Sequence, residues 1–492
     1  MTGTVIIAGG GPAGLMLACE LRLAGVEAVV LEERPEPIPW SRSMALHTRS
    51  IEALRQRGFD FFEGARPWSS YNFGFLELTR ILDDPAQIPL LVPQLDVERA
   101  LEARARETGA DIRPGHQVVG LVQDEHGVEV EVRTATGDYR IRGDYLAGCD
   151  GGRSAVRKLA GIEFPGTASR VHGVTADVEF ASEVPSEINA RLYPAGLFAS
   201  GEFEPGVHRV TSIEFDVQPP GREVPMTIDE VRESARRVAG VELDIRKVRW
   251  VARFGDATRQ ATAYRSGRVF LAGDAAHIHF PSAGQGLNTS IQDALNLGWK
   301  LAGAIKGWGG SALLDTYHAE RHPIGARVCM YSSAQVALYH PLDKVGPLRE
   351  LFSELLRLKQ VSTHLLGLST GLGLRYPMEY PGIARTEAPH PLLGGRAPDV
   401  KLAKDGGVTS VAATLQSGRG VLLDLTGSDT VGAVAAGWSD RVDTVAAQPV
   451  EDLDAAVVLI RPDGYVAHAD RDGRDVEGLR AALSWWFGAP AR

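Results

Sequence analysis

Residues 4–14 read TVIIAGGGPAG, and this stretch, with the residues that follow it, decides the fold. The apolar run at 4–8 is typical of a strand buried inside a parallel sheet. Apolar residues at helical spacing continue from Pro12 to Ala24, and a second apolar run at 28–31 ends in Glu32. The sequence therefore predicts a strand–helix–strand unit with glycines at its first turn and an acidic residue about 20 positions further on.

The glycines of this turn have the spacing G-x-G-x-x-G, and each has a physical task. Gly9 allows the tight turn, Gly11 lets a pyrophosphate approach the backbone, and Gly14 lets the helix pack on the strand. The N-terminus of the helix offers free N–H groups and the positive end of its dipole to the phosphates. Glu32 would accept hydrogen bonds from ribose hydroxyls. Together these features predict a dinucleotide site, but they do not distinguish FAD from NAD.

The composition is that of a globular protein with three domains or two large ones. Of the 492 residues, 44% are hydrophobic and 23% are charged, and the net charge is −10. The negative balance argues against nucleic acid or an anionic membrane surface as a partner, because both require a basic surface. The three cysteines are far apart and form no CxxC pair. Neither a disulfide framework nor a zinc site is therefore expected, and the cytoplasm is the expected compartment.

Nothing in the sequence indicates export or a membrane anchor. Residues 1–17 lack a basic segment and are interrupted by GGGP at 9–12, unlike a signal peptide. The chain has no uninterrupted apolar run of about 18 residues, so no membrane-spanning helix is expected.

A second motif, DYLAGCDGGRSAVR at 144–157, follows a similar plan. A short apolar strand ends at Asp150 and Gly151, and a helix is expected to begin near Ser154. An ordinary strand–turn–helix junction with Asp150 or Ser154 as the N-cap explains this segment equally well when it is taken alone.

A third motif, GRVFLAGDAAHIHFP at 267–281, favours FAD over NAD. The strand within it ends at Gly273 and Asp274, and ligands bind at the carboxyl ends of strands in open α/β sheets. Asp274 could accept hydrogen bonds from ribityl hydroxyls, which FAD has and NAD lacks. PSAGQGLNTS at 281–290 then leads into a helix expected over 288–305. The positive end of that helix would face the flavin pyrimidine ring.

The three motifs together resemble the signature of group A flavoprotein monooxygenases, which share the para-hydroxybenzoate hydroxylase fold. GGGPAG at 9–14 matches the FAD fingerprint of that family, CDGGRSAVR at 149–157 matches its Asp-Gly motif, and residues 272–294 match its Gly-Asp motif. Within the family, the chain most resembles the aromatic polyketide hydroxylases and the rifamycin monooxygenases. The resemblance covers nearly the whole chain.

The resemblance implies a mixed α/β fold, in which a Rossmann-like domain is interleaved with a β-sheet domain and followed by a separate C-terminal domain. The expected parts are an FAD-binding domain at 1–170 and 252–387, a substrate-binding sheet at 70–95 and 171–251, and a thioredoxin-like domain at 388–492. Because the last part has no CxxC pair, we expect a packing role for it rather than a redox role. Helices expected at 311–338 and 348–374 are interpreted as structural.

The resemblance also implies which residues contact FAD. Arg42 would lie near the pyrophosphate, Gln94 would hold the ribityl chain, and Asp150 would serve both FAD and nicotinamide. No catalytic side chain is implied, since the flavin carries the chemistry and the loop from Pro281 to Gly286 lies near its ring. The predicted cofactor-binding residues are Gly9, Gly11, Pro12, Ala13, Gly14, Glu32, Glu33, Arg42, Gln94, Asp150, Gly273, Asp274, Pro281, Gly284, Gly286, Leu287 and Asn288.

Members of this family reduce FAD with NADPH or NADH and use O₂ to form a hydroperoxide at flavin C4a, which hydroxylates an electron-rich carbon. No basic cluster stands out that would bind a small carboxylate, so we expect a polycyclic aromatic substrate of the polyketide-antibiotic type. A monomer or a homodimer is expected. The residues predicted to line the substrate chamber are Trp68, Tyr71, Phe73, Phe75, Leu192, Phe198, Phe203 and Phe215.

Several alternatives remain open at this point. A Baeyer–Villiger enzyme would carry F-x-G-x-x-x-H, but the chain has Arg170 where the motif that starts at Phe164 requires His. Some polyketide oxygenases insert oxygen without that motif, so insertion or antibiotic-inactivating oxygenation is the main alternative. A flavoprotein that only sequesters an antibiotic is a second one. His277 and His279 lack a third ligand nearby, so no metal site is predicted.

Overall fold

The computed structural model describes residues 3–68, 71–78, 88–182, 190–217, 220–221, 223–381, 388–404, 407–427, 429–450 and 453–491. Helices and strands alternate through these ranges, which confirms the predicted mixed α/β fold. No helix within them is long and apolar enough to cross a bilayer.

The dinucleotide motif belongs to a six-stranded sheet, which we call the nucleotide sheet. From edge to edge its strands are Arg265–Ser266, Val269–Leu271, Tyr145–Gly148, Thr4–Ala8, Glu27–Glu32 and Asp111–Pro114. All neighbours pair in parallel except the first two, which are antiparallel. Because parallel strands end at the same edge, the three motifs that follow Ala8, Gly148 and Leu271 meet there.

The helices of the first and third motifs pack against each other beside this sheet. They span Pro12–Leu23 and Gln285–Ile305, so the second begins three residues before the predicted start at Asn288. Their close approach depends on Gly298, since a Cβ there would lie 2.4 Å from the Glu20 Cβ.

The remaining helices lie between these two in the chain or after the second. They are Thr48–Arg55, Gln94–Glu107, Ala155–Leu159, Ile228–Ala239, Ser311–Ala337, Leu342–Leu355, Lys359–Thr370, Val411–Thr414, Asp429–Ala435 and Val476–Phe487. The single helix predicted at 348–374 is wrong, because the structure has two helices there. The Ser362 hydroxyl donates to the Leu356 carbonyl oxygen at the junction, which satisfies an acceptor that a continuous helix would have used.

A second large sheet, which we call the roof sheet, is antiparallel. Its strands are, in order, Arg191–Tyr193, Gly196–Glu204, Val207–Phe215, Val171–Phe180 and Ile245–Phe254. Helix Ile228–Ala239 packs on one face. The other face, which we call the chamber face, carries Val171, Leu197, Ile213 and Phe215 and is covered by Phe280 and Tyr339.

Phe198 does not lie on the chamber face. It is fully buried beneath helix Ile228–Ala239, in a cluster with Val174 and Val210. Successive side chains of a strand point to opposite faces, so Phe198 faces away from its neighbour Leu197, which does lie on the chamber face. This position does not support the predicted contact of Phe198 with the substrate, which stays a prediction.

Five smaller sheets complete the strands of the FAD-binding part and the start of the tail. Their strands are Gln117–Gln123 with Val128–Arg133 and Tyr139–Gly143; Gly166–Thr167 with Thr258–Gln260 and His277–Ile278; Lys401–Lys404 with Gly407–Ser410 and Gln448–Pro449; Ala45–Leu46 with Leu90–Leu91; and Asn72–Phe73 with Leu76–Glu77.

The C-terminal domain is built on a four-stranded sheet. Its strands lie in the order Val442–Ala446, Gly420–Asp424, Val457–Ile460 and Val466–Asp470. The first two pair in parallel, and the other neighbours pair antiparallel. The thioredoxin-like character of this domain stays a prediction.

Candidate functional site

The first turn of the dinucleotide motif contains two glycines that neighbouring backbone requires. Gly9 has φ +103°, and a Cβ on it would lie 2.4 Å from the carbonyl oxygen of Cys149. A Cβ on Gly14 would lie 2.0 Å from the carbonyl oxygen of Gly9. Both distances are below the 3.0 Å that real Cβ atoms essentially never reach. These two glycines are therefore fixed by the protein's own packing.

Gly11 differs from these two glycines, because no contact with the described residues requires a glycine there. It is the N-cap of helix Pro12–Leu23 with φ −82°, a value that any residue can adopt. A Cβ on Gly11 would meet no atom of the described residues within 4 Å. No side chain caps this helix, so the first N–H groups, those of Ala13 and Gly14, lack helical acceptors. A pyrophosphate placed against this helix end would use the open space and the free donors.

Glu32 is tied into the same turn. Its Oε2 accepts a hydrogen bond from the Gly10 N–H at 2.7 Å, and its Oε1 accepts one from Arg34 Nε at 2.9 Å. A carboxylate has about four acceptor positions, so capacity for a ribose hydroxyl remains. Glu33 is exposed, and its Oε2 lies 3.5 Å from Gln117 Nε2.

Asp150 caps the short helix Ala155–Leu159. Its Oδ2 accepts hydrogen bonds from the N–H groups of Ala155 and Val156 at 2.6 and 3.1 Å, and its Oδ1 accepts one from the Ser154 hydroxyl at 2.5 Å. Ser154 in turn accepts a hydrogen bond from the Arg157 N–H. The capped junction considered for this segment is thus present. A further contact of Asp150 with FAD or nicotinamide stays a prediction.

Arg157 joins the second motif to the third. Its guanidinium donates to the carbonyl oxygens of Ala275 at 2.8 Å and Gly152 at 3.0 Å, and it stacks 3.7 Å from the centroid of the Phe164 ring. Since the Arg157 side chain is buried, these contacts hold the ends of two neighbouring strands in a fixed relation.

Asp274 presents a free carboxylate at this edge of the sheet. It is exposed, and among the described residues no group donates a hydrogen bond to it. Its Oδ1 would lie 4.0 Å from a Cβ on Gly286, so the carboxylate faces the glycine loop. Gly273 beside it has φ +61°, and a Cβ there would lie 2.7 Å from Ser290 Oγ. A free acceptor in this place fits the predicted contact with the ribityl chain.

The loop before helix Gln285–Ile305 is held by Asn288. The Asn288 Nδ2 donates to the carbonyl oxygens of Gly284 at 2.8 Å and Ala45 at 3.0 Å, and its Oδ1 accepts from the His47 N–H at 2.7 Å. Gly284 has φ +64° and precedes a helix that no side chain caps. The first N–H groups of that helix are therefore available at the loop.

Other members of the predicted set surround this loop. Pro281 is exposed, Gly286 is half-buried, and Leu287 is buried in the core of the nucleotide sheet. A Cβ on Gly284 would lie 3.8 Å from the Trp68 ring, so this predicted substrate residue lies beside the loop.

Arg42 and Gln94 lie on neighbouring backbone. Gln94 Oε1 accepts a hydrogen bond from the Ser43 N–H at 3.3 Å, and its Nε2 donates to Glu98 Oε1 at 2.7 Å. Arg42 is exposed. Gln94 thus holds the segment that carries Arg42, and the contacts predicted for these two side chains with FAD stay predictions.

A buried cluster beneath the loop was not predicted from the sequence. His277 Nε2 lies 2.8 Å from Asp293 Oδ2, Arg321 Nε donates to Asp293 Oδ1 at 2.7 Å, and Arg321 also donates to the Tyr376 hydroxyl at 2.9 Å. Burial alone would raise the pKa of Asp293, but Arg321 and His277 lower it, so the carboxylate is ionised. His279 instead lies against the Phe280 carbonyl oxygen. Over the described residues, no group of three or more His, Cys, Asp or Glu side chains could hold a metal.

A second buried cluster, which we call the domain-joining cluster, was also missed. It consists of Lys300, Glu320, Arg461 and Asp463. Arg461 donates to Glu320 Oε1 at 2.5 Å and to Asp463 Oδ1 at 3.0 Å, and Lys300 donates to Glu320 Oε2 at 2.7 Å. Arg461 and Asp463 come from a turn of the C-terminal domain, whereas Lys300 lies on helix Gln285–Ile305. The C-terminal domain is therefore anchored to the helix that begins at the loop.

The ionisation of this cluster follows from its burial. Burial lowers the pKa of Lys300 to about 8, against the attraction of Glu320. Burial alone would raise the pKa of Glu320, but Arg461 and Lys300 lower it to about 2. A separate pair reinforces the junction, since Arg57 binds Glu20 through two hydrogen bonds and donates to the Pro462 carbonyl oxygen at 2.7 Å.

Of the predicted substrate residues other than Trp68 and Phe198, five fall into two groups. Phe75, Leu192 and Phe215 pack with the chamber face. Tyr71 and Phe73 lie instead in a cluster under the helices at 342–370. The Phe203 side chain lies outside the described part of the structure.

The buried thiols are not nucleophiles. Burial raises the pKa of Cys149, which follows a strand of the nucleotide sheet, far above its ordinary value, and burial raises that of Cys19 to about 12. Because only a thiolate attacks readily, both cysteines are inert at neutral pH. The groups that the site leaves free are backbone N–H donors and the Asp274 carboxylate. Such groups can bind a cofactor.

Comparison with known families covers both parts of the chain. A family model described as an FAD binding domain matches residues 2–332, and one described as the C-terminal domain of aromatic-ring hydroxylases matches residues 390–490.

Individual relatives match over the whole length. The chain is 43% identical to 12-dehydrotetracycline 5-monooxygenase/anhydrotetracycline 6-monooxygenase of Streptomyces rimosus, over 99% of each chain. It is also 43% identical to a rifampicin monooxygenase of Streptomyces venezuelae, over 99% of this chain and 98% of the relative. The solved structure of an anhydrotetracycline hydroxylase from Streptomyces rimosus, 42% identical, superposes with a TM-score of 0.92 over 100% of both chains.

One relative of similar sequence identity is named as a synthase and not as a monooxygenase. The chain is 42% identical to a dialkyldecalin synthase of Streptomyces rugosporus over 100% of both chains. Overall identity therefore does not separate a synthase from a monooxygenase within this set.

Proposed function

Because the chain belongs to the family of FAD-dependent aromatic-ring monooxygenases, we propose that it hydroxylates a polycyclic aromatic substrate of the polyketide type. The observation that carries this proposal is the meeting of three free binding groups at one sheet edge. They are the open end of helix Pro12–Leu23, the free carboxylate of Asp274 and the uncapped N-terminus of helix Gln285–Ile305. Their order along the edge suits an extended dinucleotide with a flavin ring at one end.

The residues at this edge of the sheet suggest how FAD would be held. The N–H groups after Gly11 would bind the pyrophosphate, Asp274 would accept hydrogen bonds from the ribityl chain, and the N-terminus of helix Gln285–Ile305 would face the ring. When bound, FAD supplies the reaction with NAD(P)H and O₂ that delivers an activated oxygen atom. An uncapped helix N-terminus stabilises negative charge on a neighbouring group, and the loop sequence at 281–290 contains no charged residue.

The protein's other contribution is to orient an aromatic ring and to exclude water. The chamber face and its cover supply apolar and aromatic side chains, including Phe215, Phe280 and Tyr339. Burial raises the pKa of Tyr339, so its hydroxyl is neutral and can donate a hydrogen bond but not serve as a base. Exclusion of water from the chamber would protect the activated oxygen from loss as hydrogen peroxide. An apolar polycyclic phenol fits this lining better than a small carboxylate.

The proposal is tested by turnover of the purified holoprotein. Oxidation of NADPH and of NADH is followed with tetracyclic polyketides and ansamycins, each product is analysed by mass, and its structure is assigned by NMR. A gain of one oxygen as a new hydroxyl group supports the proposal. A gain of one oxygen as a lactone indicates oxygen insertion, and a product of unchanged mass indicates a synthase. Tight binding without turnover of any compound indicates sequestration, and each of these three results overturns the proposal.

A further inference from the structure

One turn beside the chamber has an unusual backbone. Strands Asn72–Phe73 and Leu76–Glu77 form a hairpin whose two-residue turn is Gly74-Phe75. Both turn residues have positive φ, +62° for Gly74 and +60° for Phe75. Two-residue hairpins of this kind favour Asn or Gly at both positions. A bulky aromatic residue is a genuine outlier there, because its Cβ crowds the backbone in the left-handed conformation.

The ring of Phe75 explains why this conformation is retained. It packs with the chamber face and lies edge-on to Tyr339, with ring centroids 5.5 Å apart. The ring centroid of Tyr339 in turn lies 6.0 Å from that of Phe280, the residue that directly precedes Pro281 of the flavin loop. Phe280 and Tyr339 are buried, whereas Phe75 is half-buried, although Gly74 beside it in the turn is buried. Phe75 is therefore the ring of this aromatic cover that can leave with the least disruption.

A buried glutamine connects the turn to the flavin loop. Gln335, which is 1% exposed, accepts a hydrogen bond from the Gly74 N–H at 3.3 Å through its Oε1. Its Nε2 donates to Ser282 Oγ at 3.2 Å, and Ser282 lies within the loop that precedes helix Gln285–Ile305. Arg349 holds the other side of the turn by donating to the Gly74 carbonyl oxygen at 2.7 Å. The position of the turn and that of the loop are thus linked through one side chain.

We propose that Phe75 is a specificity-determining residue that closes the substrate chamber, and that Gln335 is a positioning residue that keeps this closure in register with the flavin loop. This inference rests on the proposed function, since it takes the chamber to be the place where the aromatic substrate binds. Stored backbone strain at a ligand clamp is released when the clamp opens, so the strained turn favours an openable closure over a permanent one. The size of substrate admitted then depends on the side chain at position 75.

The test for Phe75 uses a substitution that spares the fold. Phe75→Gly removes the ring and relieves the backbone strain, because glycine adopts positive φ without cost. Phe61→Ala, a half-buried phenylalanine in a cluster away from the chamber, is the matched control. Dissociation constants for two-, three- and four-ring phenols are measured by perturbation of the flavin absorbance, together with kcat/KM for each. We expect Phe75→Gly to raise affinity for the four-ring compound relative to the two-ring compound about tenfold, and Phe61→Ala to leave this ratio unchanged.

The test for Gln335 measures how well oxygen transfer is coupled to NAD(P)H oxidation. Gln335→Leu keeps the size but loses both hydrogen bonds, and we expect it to release several times more of the consumed O₂ as hydrogen peroxide. Gln335→Glu retains the acceptor for the Gly74 N–H, so it should restore much of the coupling. A merely structural role would lower the melting temperature of both variants without changing the peroxide fraction.

The outcomes separate this inference from the function on which it rests. If the wild type forms no oxygenated product from any compound, the proposed function fails, while the affinity ratios still test the closure. If the wild type turns over substrate but Phe75→Gly leaves the size preference unchanged, the specificity role is wrong. An unchanged peroxide fraction in Gln335→Leu overturns the positioning role in the same way.

Discussion

The dinucleotide turn and the Gly74-Phe75 hairpin both depend on glycine with positive φ, but for different reasons. A Cβ on Gly9 would meet the backbone of Cys149 at 2.4 Å, whereas a Cβ on Gly74 would meet the Leu338 side chain, its Cδ1 at 2.8 Å and its Cβ at 3.1 Å. Backbone in the middle of a parallel sheet cannot move aside, but a side chain can shift by a few tenths of an ångström. The first region is therefore fixed by rigid packing around the cofactor site, and the second is adjustable, as a surface that selects among substrates has to be.

The largest expected effect comes from a pair of substitutions within the rigid region. Gly14→Ala should prevent folding or yield aggregated protein, because its Cβ would lie 2.0 Å from the Gly9 carbonyl oxygen. Gly11→Ala should leave the thermal stability of the apoprotein unchanged, since its Cβ meets no atom of the described residues within 4 Å. It should still lower FAD affinity by tenfold or more by occupying the pyrophosphate space. Circular dichroism melting and FAD titration check both, and normal FAD affinity in Gly11→Ala would contradict the proposed phosphate position.

This contrast also shows which parts of the molecule the sequence predicts. The strands at 4–8 and 269–271 and the helix that begins at Pro12 follow from local patterns, because glycine spacing and apolar runs lie within a few residues of one another. The family resemblance then supplied the fold and the FAD-dependent activity, which the comparisons confirm. The contacts of individual residues with FAD stay predictions.

What the sequence did not predict depends on residues far apart in the chain. Phe198 lies on the face opposite the chamber face, and the sequence did not show this, because both faces of its strand are apolar and a one-residue change of register exchanges them. The domain-joining cluster pairs Arg461 with Glu320 across 141 positions, and no local spacing signals such a partner. The only local hint was the polar turn at 461–464, RPDG, between two apolar strands.

The next largest effect is expected in the domain-joining cluster. It tests whether a region built from residues far apart in the chain tolerates substitution as poorly as the glycine turn does. Glu320→Gln should lower the free energy of unfolding by about 3–5 kcal/mol, because it leaves Arg461 and Lys300 buried with less compensating charge. Urea denaturation at pH 7 measures this. Glu350→Gln is the control, since Glu350 is exposed. Equal stability of the two variants would show that the C-terminal domain is not anchored through this cluster.

The stability of Glu320→Gln should also depend on pH differently from that of the wild type. The pKa of Glu320 in the folded protein, about 2, lies below its ordinary 4.5. Its ionised form therefore stabilises the fold above pH 4.5, and this contribution is lost as the pH falls from about 4.5 towards 2. The wild type should lose more stability than Glu320→Gln over that window. A difference between the two proteins that does not narrow between pH 6 and pH 3 would contradict the ionised state of Glu320.

A smaller effect is expected at the free carboxylate of the cofactor edge. Asp274→Asn keeps the shape of the side chain but loses the charge that strengthens hydrogen bonds from ribityl hydroxyls, so FAD affinity should fall about tenfold, by about 1.4 kcal/mol. Asp343→Asn, on another exposed carboxylate, should leave FAD affinity unchanged. Fluorescence titration of the apoprotein with FAD measures both. Equal affinities would remove Asp274 from the proposed FAD contacts.

An effect of comparable size should come from the adjustable region. Gly74→Ala should cost about 1–2 kcal/mol, because alanine pays the left-handed backbone cost, while the Leu338 side chain, whose Cδ1 and Cβ would lie 2.8 and 3.1 Å from the new Cβ, has to shift by only a few tenths of an ångström. Gly9→Ala, with a φ of +103° and a backbone atom in its way, should instead abolish holoprotein formation. Thermal melting of the two variants, each with and without FAD, checks the difference. If Gly74→Ala is as damaging as Gly9→Ala, then the hairpin is rigid, and a closure that opens for substrate cannot be built on it.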